Sequence, residues 1–174
     1  MSKKILVGLI IFILIWISIW VQINFLNSLP LFGVVANIGI VITVGIGLLS
    51  DKIPGGMTGA TYGLLYDLLF GKSFGIYFLI YTMLGIASGT LSKGFSKDYK
   101  MSMVYMVALF TAIAEIITYF LGILVYDYSF EFLTMFFIVI IETIYNMILA
   151  GLLFKPLKGI GEIINKCKNS YYLL

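Results

Sequence analysis

Long uninterrupted apolar runs are the feature that most restricts what this chain can fold into. Six such runs can be drawn in the 174 residues, and short polar, Gly or Pro stretches separate them. A membrane β-barrel would alternate apolar and polar residues, whereas these runs are continuous, so the pattern predicts helices. The runs span about 5–25, 31–49, 57–70, 74–91, 101–125 and 130–154.

The composition points to lipid as the main solvent. The chain is 61% hydrophobic and 11% charged, whereas soluble domains contain roughly 25% charged residues. A soluble protein of this size could not hide so much apolar surface. We therefore predict an all-α integral membrane protein, a bundle of six transmembrane helices in contact with the lipid bilayer.

Breaks between the runs predict the domain organisation. Pro54-Gly55-Gly56 is expected to interrupt the backbone before the short third run. Gly71-Lys72-Ser73 is expected to form a tight hairpin between the third and fourth runs. The sequence thus predicts one transmembrane domain, 1–154, followed by a Lys-containing tail, 155–174.

The lysines predict an orientation. With six spans, ten of the eleven basic residues fall on one side of the membrane and only Lys72 falls on the other. Because positive residues collect on the cytoplasmic side, both termini are expected in the cytoplasm. The ten are Lys3, Lys4, Lys52, Lys93, Lys97, Lys100, Lys155, Lys158, Lys166 and Lys168.

Three carboxyl groups lie inside apolar runs, at Asp67, Glu115 and Glu142. Charge in the bilayer costs several kcal/mol, so these side chains should face the bundle interior. Asp67 is expected to cap the hairpin turn, pair with Lys72 or meet a partner. Glu115 and Glu142 could hydrogen-bond to each other, form a proton or ion pathway, or bind a partner.

Two asparagines accompany the carboxyl groups. Asn146 follows Glu142 by four residues and can hydrogen-bond to it on the same helix face. Asn37 stands at the start of the second run. With Glu115 and Glu142, these asparagines complete a predicted set of buried polar residues.

Small residues recur every four positions through the third run. This spacing keeps them near one stripe of a helix, where another helix can approach closely. The stripe is expected to serve either packing within the bundle or binding of a partner helix. Its members are Gly55, Gly59, Gly63, Asp67, Gly71 and Gly75, and the fourth run repeats the spacing at Gly85 and Gly89.

Residue types that serve catalysis or metal binding are scarce. The chain has no histidine, and its one cysteine, Cys167, lies in the Lys-containing tail. We therefore expect no His/Cys metal site, no cofactor and no enzymatic activity. The lysines follow the membrane topology and predict no nucleic-acid surface.

The stretch GGMTGATYGLLYDLLFGKSFGIYFLIYTMLGIASG, residues 55–89, resembles the core of the rod shape-determining MreD family. That core reads G-x-x-x-G-L-L-x-D-L-L-x-G-x-x-x-G, followed by a Tyr-containing span. Gly59, Gly63 and Asp67 fall on its positions, as do Gly71 and Gly75. The resemblance covers about residues 30–92, and Ala36-Asn37-Ile38 stands where the family more often has Pro-Asp-Leu.

The resemblance implies a non-enzymatic scaffold in the bacterial cytoplasmic membrane. Such proteins bind MreC, a single-span protein, and here the Gly-rich helix groove is expected to bind it. They belong to the elongation complex with MreB, RodA and a class B penicillin-binding protein. The resemblance also implies a fold similar to the substrate-binding subunits of ECF-type vitamin transporters. The resemblance leaves open whether the chain forms a homo-oligomer.

Two other functions stay open on the residues themselves. A solute-binding transporter subunit would need convergent polar groups, which Glu115, Glu142 and Asn146 could supply. An intramembrane enzyme is the least favoured alternative because the chain has no histidine.

Overall fold

The computed structural model describes residues 3–70, 75–95, 97–126 and 131–169, and this part of the chain is helical. Six α-helices and two single 3₁₀ turns lie within it. The helices are α1 Lys3–Asn24, α2 Ile38–Leu49, α3 Lys52–Phe70, α4 Ile76–Leu91, α5 Lys100–Tyr126 and α6 Phe132–Asn169.

Three of the helices are long and apolar enough to cross a bilayer, namely α1, α5 and α6. Their outer faces carry large exposed apolar side chains, such as Trp16 at 62% exposure and Leu124 at 78%. Surfaces of this kind fit a hydrocarbon solvent. The prediction of an all-helical protein is therefore confirmed for the described residues, and three of the helices have the length and apolar character of membrane spans.

Helix α2 forms the centre of the bundle. All twelve of its residues are buried, and it packs against α3, α4, α5 and α6. At 1.5 Å per residue it is only ~18 Å long, whereas a bilayer core is ~30 Å thick. Because α2 is buried along its whole length, its terminal N–H and C=O groups need hydrogen-bond partners from other parts of the protein.

Helices α3 and α4 form the most closely packed pair, and glycines make this packing possible. A Cβ added at Gly59 would overlap the main-chain carbonyl of Tyr81, and one at Gly63 would overlap that of Tyr77. A Cβ on Gly85 would meet the backbone of Gly55 in the same way. The small-residue stripe is thus filled by a helix of the same chain.

One end of the bundle, the lysine end, gathers basic residues around the C-terminus of α2. Lys97 Nζ donates to Ser50 O at 2.7 Å, and Asn165 Nδ2 donates to Leu49 O at 3.0 Å. Lys158 Nζ lies 2.7 Å from Asp98 Oδ1, and this hydrogen bond holds the pKa of Asp98 below its ordinary value. The backbones of Gly89 and Lys52 also approach closely here.

The observed boundaries correct the sequence prediction before and after α2. The second run was expected to be helical from Leu31, but Leu31 to Val34 form a tight turn with hydrogen bonds of 2.8 and 2.9 Å. Phe32 and Gly33 have positive φ values of 51° and 83°, as the central residues of a type I′ turn do. Asn37 then caps α2 through a hydrogen bond from Ile40 N.

The expected break at Pro54 is wrong. Pro54 lies in the first turn of α3, where its missing N–H has no helical partner to lose. At the other end of the chain, α6 continues through Pro156 to Asn169. Residues 155–169 are therefore a helical extension that packs on the end of α2, with Leu157 and Ile164 buried.

Replacing Gly59 with alanine tests the close packing of α3 on α4. The new methyl group would overlap the Tyr81 backbone, so G59A should lose about 1–3 kcal/mol of stability. Thermal unfolding of the detergent-purified protein measures the change. The matched control is G159A in α6, where a Cβ meets open space and alanine should be neutral or stabilising. Equal effects of the two substitutions would contradict the account.

Candidate functional site

A polar cavity of about 220 Å³, partly open to the outside, lies at the end of the bundle opposite the lysine end. Five of the helices and the turn before α2 contribute to its wall. So many polar side chains around one space are unusual in so apolar a chain, because polar groups are costly in apolar surroundings. The lining residues are Gln22, Asn27, Val35, Ala36, Asn37, Tyr66, Tyr77, Glu115, Thr118 and Glu142.

The first wall of the cavity is the capped N-terminus of α2. Gln22 of α1 accepts a hydrogen bond from Ile38 N at 3.0 Å and donates to Ala36 O at 3.0 Å. Asn146 of α6 accepts from Asn37 N at 2.7 Å. These contacts satisfy backbone groups that the helix itself leaves without partners, and they bring α1 and α6 to the start of α2.

Glu115 and Glu142 both line the cavity, and their carboxyl groups lie close enough to interact. A hydrogen bond between two carboxyl groups forms only when one of them carries a proton. The amides of Asn37 and Asn146 lie within reach of Glu142. The structure thus brings together the four residues that the sequence indicated as a polar set.

The degree of burial differs within that set. Glu142 is 7% exposed and Asn146 is fully buried, with Asn146 Nδ2 donating to Thr111 Oγ1 at 3.2 Å. Glu115 and Asn37 were also expected to be buried, but each is only half-buried. Asn37, Glu115 and Glu142 line the cavity, whereas Asn146 lies behind its wall.

Tyrosines from the α3–α4 pair form another wall. Tyr66 and Tyr77 line the cavity, with ring centroids 4.7 Å apart. Behind them, Tyr81 Oη donates to Asn37 Oδ1 at 2.8 Å, and the Tyr62 ring lies 5.2 Å from that of Tyr81. The four rings connect the motif-bearing hairpin to the polar network at α2.

Sequence reasoning missed Gln22, Asn27 and the tyrosines. One available signal was the spacing, because Tyr62 and Tyr66 are four residues apart and so are Tyr77 and Tyr81. Spacing of four places each pair on one helix face. Gln22, an amide inside the first apolar run, was a second signal.

Asp67 lies outside the cavity, at the joint between α3 and α4. Its carboxylate is 4% exposed and accepts three backbone N–H groups of the next helix, from Gly75 at 3.0 Å, Tyr77 at 3.2 Å and Phe78 at 2.9 Å. An acidic group at a helix N-terminus is favoured by hydrogen bonding and by the helix dipole. Asp67 therefore caps α4 from the preceding helix.

The remaining predicted residues divide into two groups. Gly59, Gly63, Gly85 and Gly89 lie in close backbone contacts between helices. Gly75 is different, because it has a φ of 101° at the N-cap of α4 and open space around its Cβ position. Gly71 and Lys72, with the predicted Asp67–Lys72 pair, lie outside the described residues.

The expectation that the glycine stripe forms a groove for a partner helix needs correction. Within the described residues α4 covers this stripe, and the backbones of the two helices touch at Gly59 and Gly63. No room remains there for a second helix. The described glycines of this stripe therefore pack the bundle.

Comparisons with protein-family models, with curated proteins and with solved structures give no match to this chain. No group of three or more metal-ligating His, Cys, Asp or Glu side chains occurs within the described ranges.

Replacing Asp67 tests its capping role. D67A removes the acceptor of three N–H groups, and unsatisfied buried donors cost about 1–3 kcal/mol each. We expect D67A to lower the unfolding temperature and to speed amide hydrogen exchange over residues 75–80. D67N, which keeps one acceptor oxygen, should have a smaller effect.

The control for this prediction is D98A at the exposed end of a surface ion pair. It should leave exchange at the start of α4 unchanged, because such pairs contribute little to stability. Unaltered exchange at 75–80 in D67A would contradict the capping role.

Proposed function

We propose that this chain is a non-enzymatic scaffold subunit of a bacterial cell-elongation complex, the role of the MreD family. The main observation that supports the proposal is that residues of the family-like motif form the contact between α3 and α4. Gly59 and Gly63 lie where the two backbones meet, and Asp67 caps the second helix. A motif with these roles supports a shared fold.

The shape of the chain agrees with a scaffold. Short connections join the helices in the described ranges, so most of the surface that can meet a partner consists of helix sides. Those of α1, α4 and α5 expose large apolar groups, including Trp16, Met83 and Leu124. In the proposal, the partner is an MreC-like single-span protein that packs against one of these faces, within a complex containing MreB, RodA and a class B penicillin-binding protein.

The proposal includes the finer topology. Six helices would be embedded in the cytoplasmic membrane of a bacterium, similar to the substrate-binding subunits of ECF-type transporters, with both termini cytoplasmic. The grouping of Lys52, Lys97 and Lys158 at one end of the bundle supports this orientation. The polar cavity would then lie toward the extracytoplasmic side.

A second candidate function is a solute-binding subunit of a vitamin transporter. The observation that favours it is the cavity, where polar groups from five helices converge as small-molecule sites require. This alternative predicts a bound solute and no requirement for a single-span partner.

Site-specific photo-crosslinking in the native host tests the scaffold proposal. A photoreactive amino acid would replace Trp16, Met83 or Leu124, one on each of three outer faces, and Leu48 at 0% exposure serves as the buried control. We expect at least one outer position, and not Leu48, to crosslink to a single-span protein with an extracytoplasmic domain. Failure of the outer positions to capture such a protein, with the variants present at wild-type levels, would contradict the scaffold.

A further inference from the structure

We propose that the polar cavity binds the ammonium group of a small organic cation, held between the Glu115–Glu142 pair and the rings of Tyr66 and Tyr77. This inference goes beyond the scaffold role and does not depend on it. It assigns a ligand-binding site to the interior of the bundle.

Charge is the first argument. Glu115 and Glu142 both line the cavity, and no lysine lies among the cavity residues that the structure describes. The chain also lacks arginine and histidine. Because a buried carboxylate needs a positive partner or a proton, a cation can take the place of the proton between these two carboxyl groups.

The hydrogen bonds of the amide side chains in the cavity wall give the second argument. The Gln22 amide donates to Asn27 Oδ1 and Ala36 O, and the Asn37 side-chain oxygen accepts from Tyr81 and Ile40. The amides are thus engaged within the wall. The carboxyl groups of Glu115 and Glu142 also face the space. Because carboxyl oxygens only accept when ionised, a hydrogen-bond donor such as an ammonium group suits them once the shared proton has left.

The tyrosine wall is the third argument. Aromatic faces attract ammonium groups, and this attraction increases when the site is shielded from water. Tyr66 is close enough to both carboxyl groups to interact with them electrostatically, and its ring lies 4.7 Å from that of Tyr77. A cation at the carboxyl pair would therefore also be near aromatic rings.

Size limits the ligand. The cavity measures about 220 Å³, below the roughly 300–1,000 Å³ of pockets for drug-sized molecules. It can hold a small amine or quaternary ammonium ion, or the headgroup of an ethanolamine lipid. On binding, the ammonium takes the place of the proton shared by the two carboxyl groups, and that proton leaves to solvent.

Carbodiimide labelling of the purified full chain tests the inference. Dicyclohexylcarbodiimide reacts with protonated carboxyl groups in apolar surroundings, and peptide mass spectrometry reads the products at Glu115 and Glu142. We expect choline or ethanolamine to protect both residues and to raise the unfolding temperature. The neutral isostere 3,3-dimethylbutan-1-ol should do neither.

Nanodiscs distinguish a soluble ligand from a lipid headgroup. Protection by free choline or ethanolamine in phosphatidylglycerol discs supports a soluble amine. Protection that appears only in phosphatidylethanolamine discs supports a lipid headgroup. Absence of protection in every arm, or equal protection by the neutral isostere, overturns the proposal.

Variants keep the test specific to the cavity. In E115Q, which keeps the size and polarity of the side chain, the ammonium probes should no longer protect Glu142. Y66F should retain protection because it keeps the ring, whereas Y66L should lose it. E131Q is the matched control, because Glu131 is exposed at the start of α6 and should not matter. Full protection of Glu142 in both E115Q and Y66L, with the fold intact, would also overturn the proposal.

Discussion

The enclosure of α2 is the constraint on which the rest of this structure depends. All twelve residues of this helix are buried. Its terminal N–H and C=O groups have no partners within the helix, and burial keeps water from them, so they must find partners elsewhere in the protein. Gln22 and Asn146 serve the N-terminus, while Lys97 and Asn165 serve the C-terminus.

These end contacts explain where the polar residues lie. Asn146 reaches Asn37 from α6 and also lies within reach of Glu142. Gln22 binds the residues just before and at the start of α2 from α1. The side chains that complete the N-terminus of α2 therefore belong to the same network as the cavity wall. The same amide side chains therefore stabilise the end of the short helix and belong to the network around the proposed binding site.

The sequence predicted the kind of protein better than its details. Continuous apolar runs were enough to predict a helical membrane protein, because only helices satisfy their backbone within each run. The start of α2 was misplaced, because hydropathy does not distinguish the apolar turn at Leu31–Val34 from a helix. The helical extension after Pro156 was missed because its packing on α2 is a tertiary effect.

The site was only partly visible in the sequence for a similar reason. Asp67, Glu115 and Glu142 are conspicuous because charge is rare in an apolar chain. Their partners were harder to identify, since Asp67 binds backbone N–H groups that carry no sequence signature. The glycine stripe was recognised as a close-approach surface, but spacing alone does not reveal whether the approaching helix belongs to the same chain.

Amide hydrogen exchange across α2, compared between two substitutions, tests the central claim most directly. N146L removes the acceptor at the N-terminus of α2, and N165L removes the donor at its C-terminus. The account predicts that each substitution affects only one end of α2. Exchange should be faster over residues 37–41 in N146L and over residues 48–50 in N165L. Unchanged exchange in both variants, or the same change at both ends, would contradict the claim that side chains from other helices hold the two ends of α2 separately.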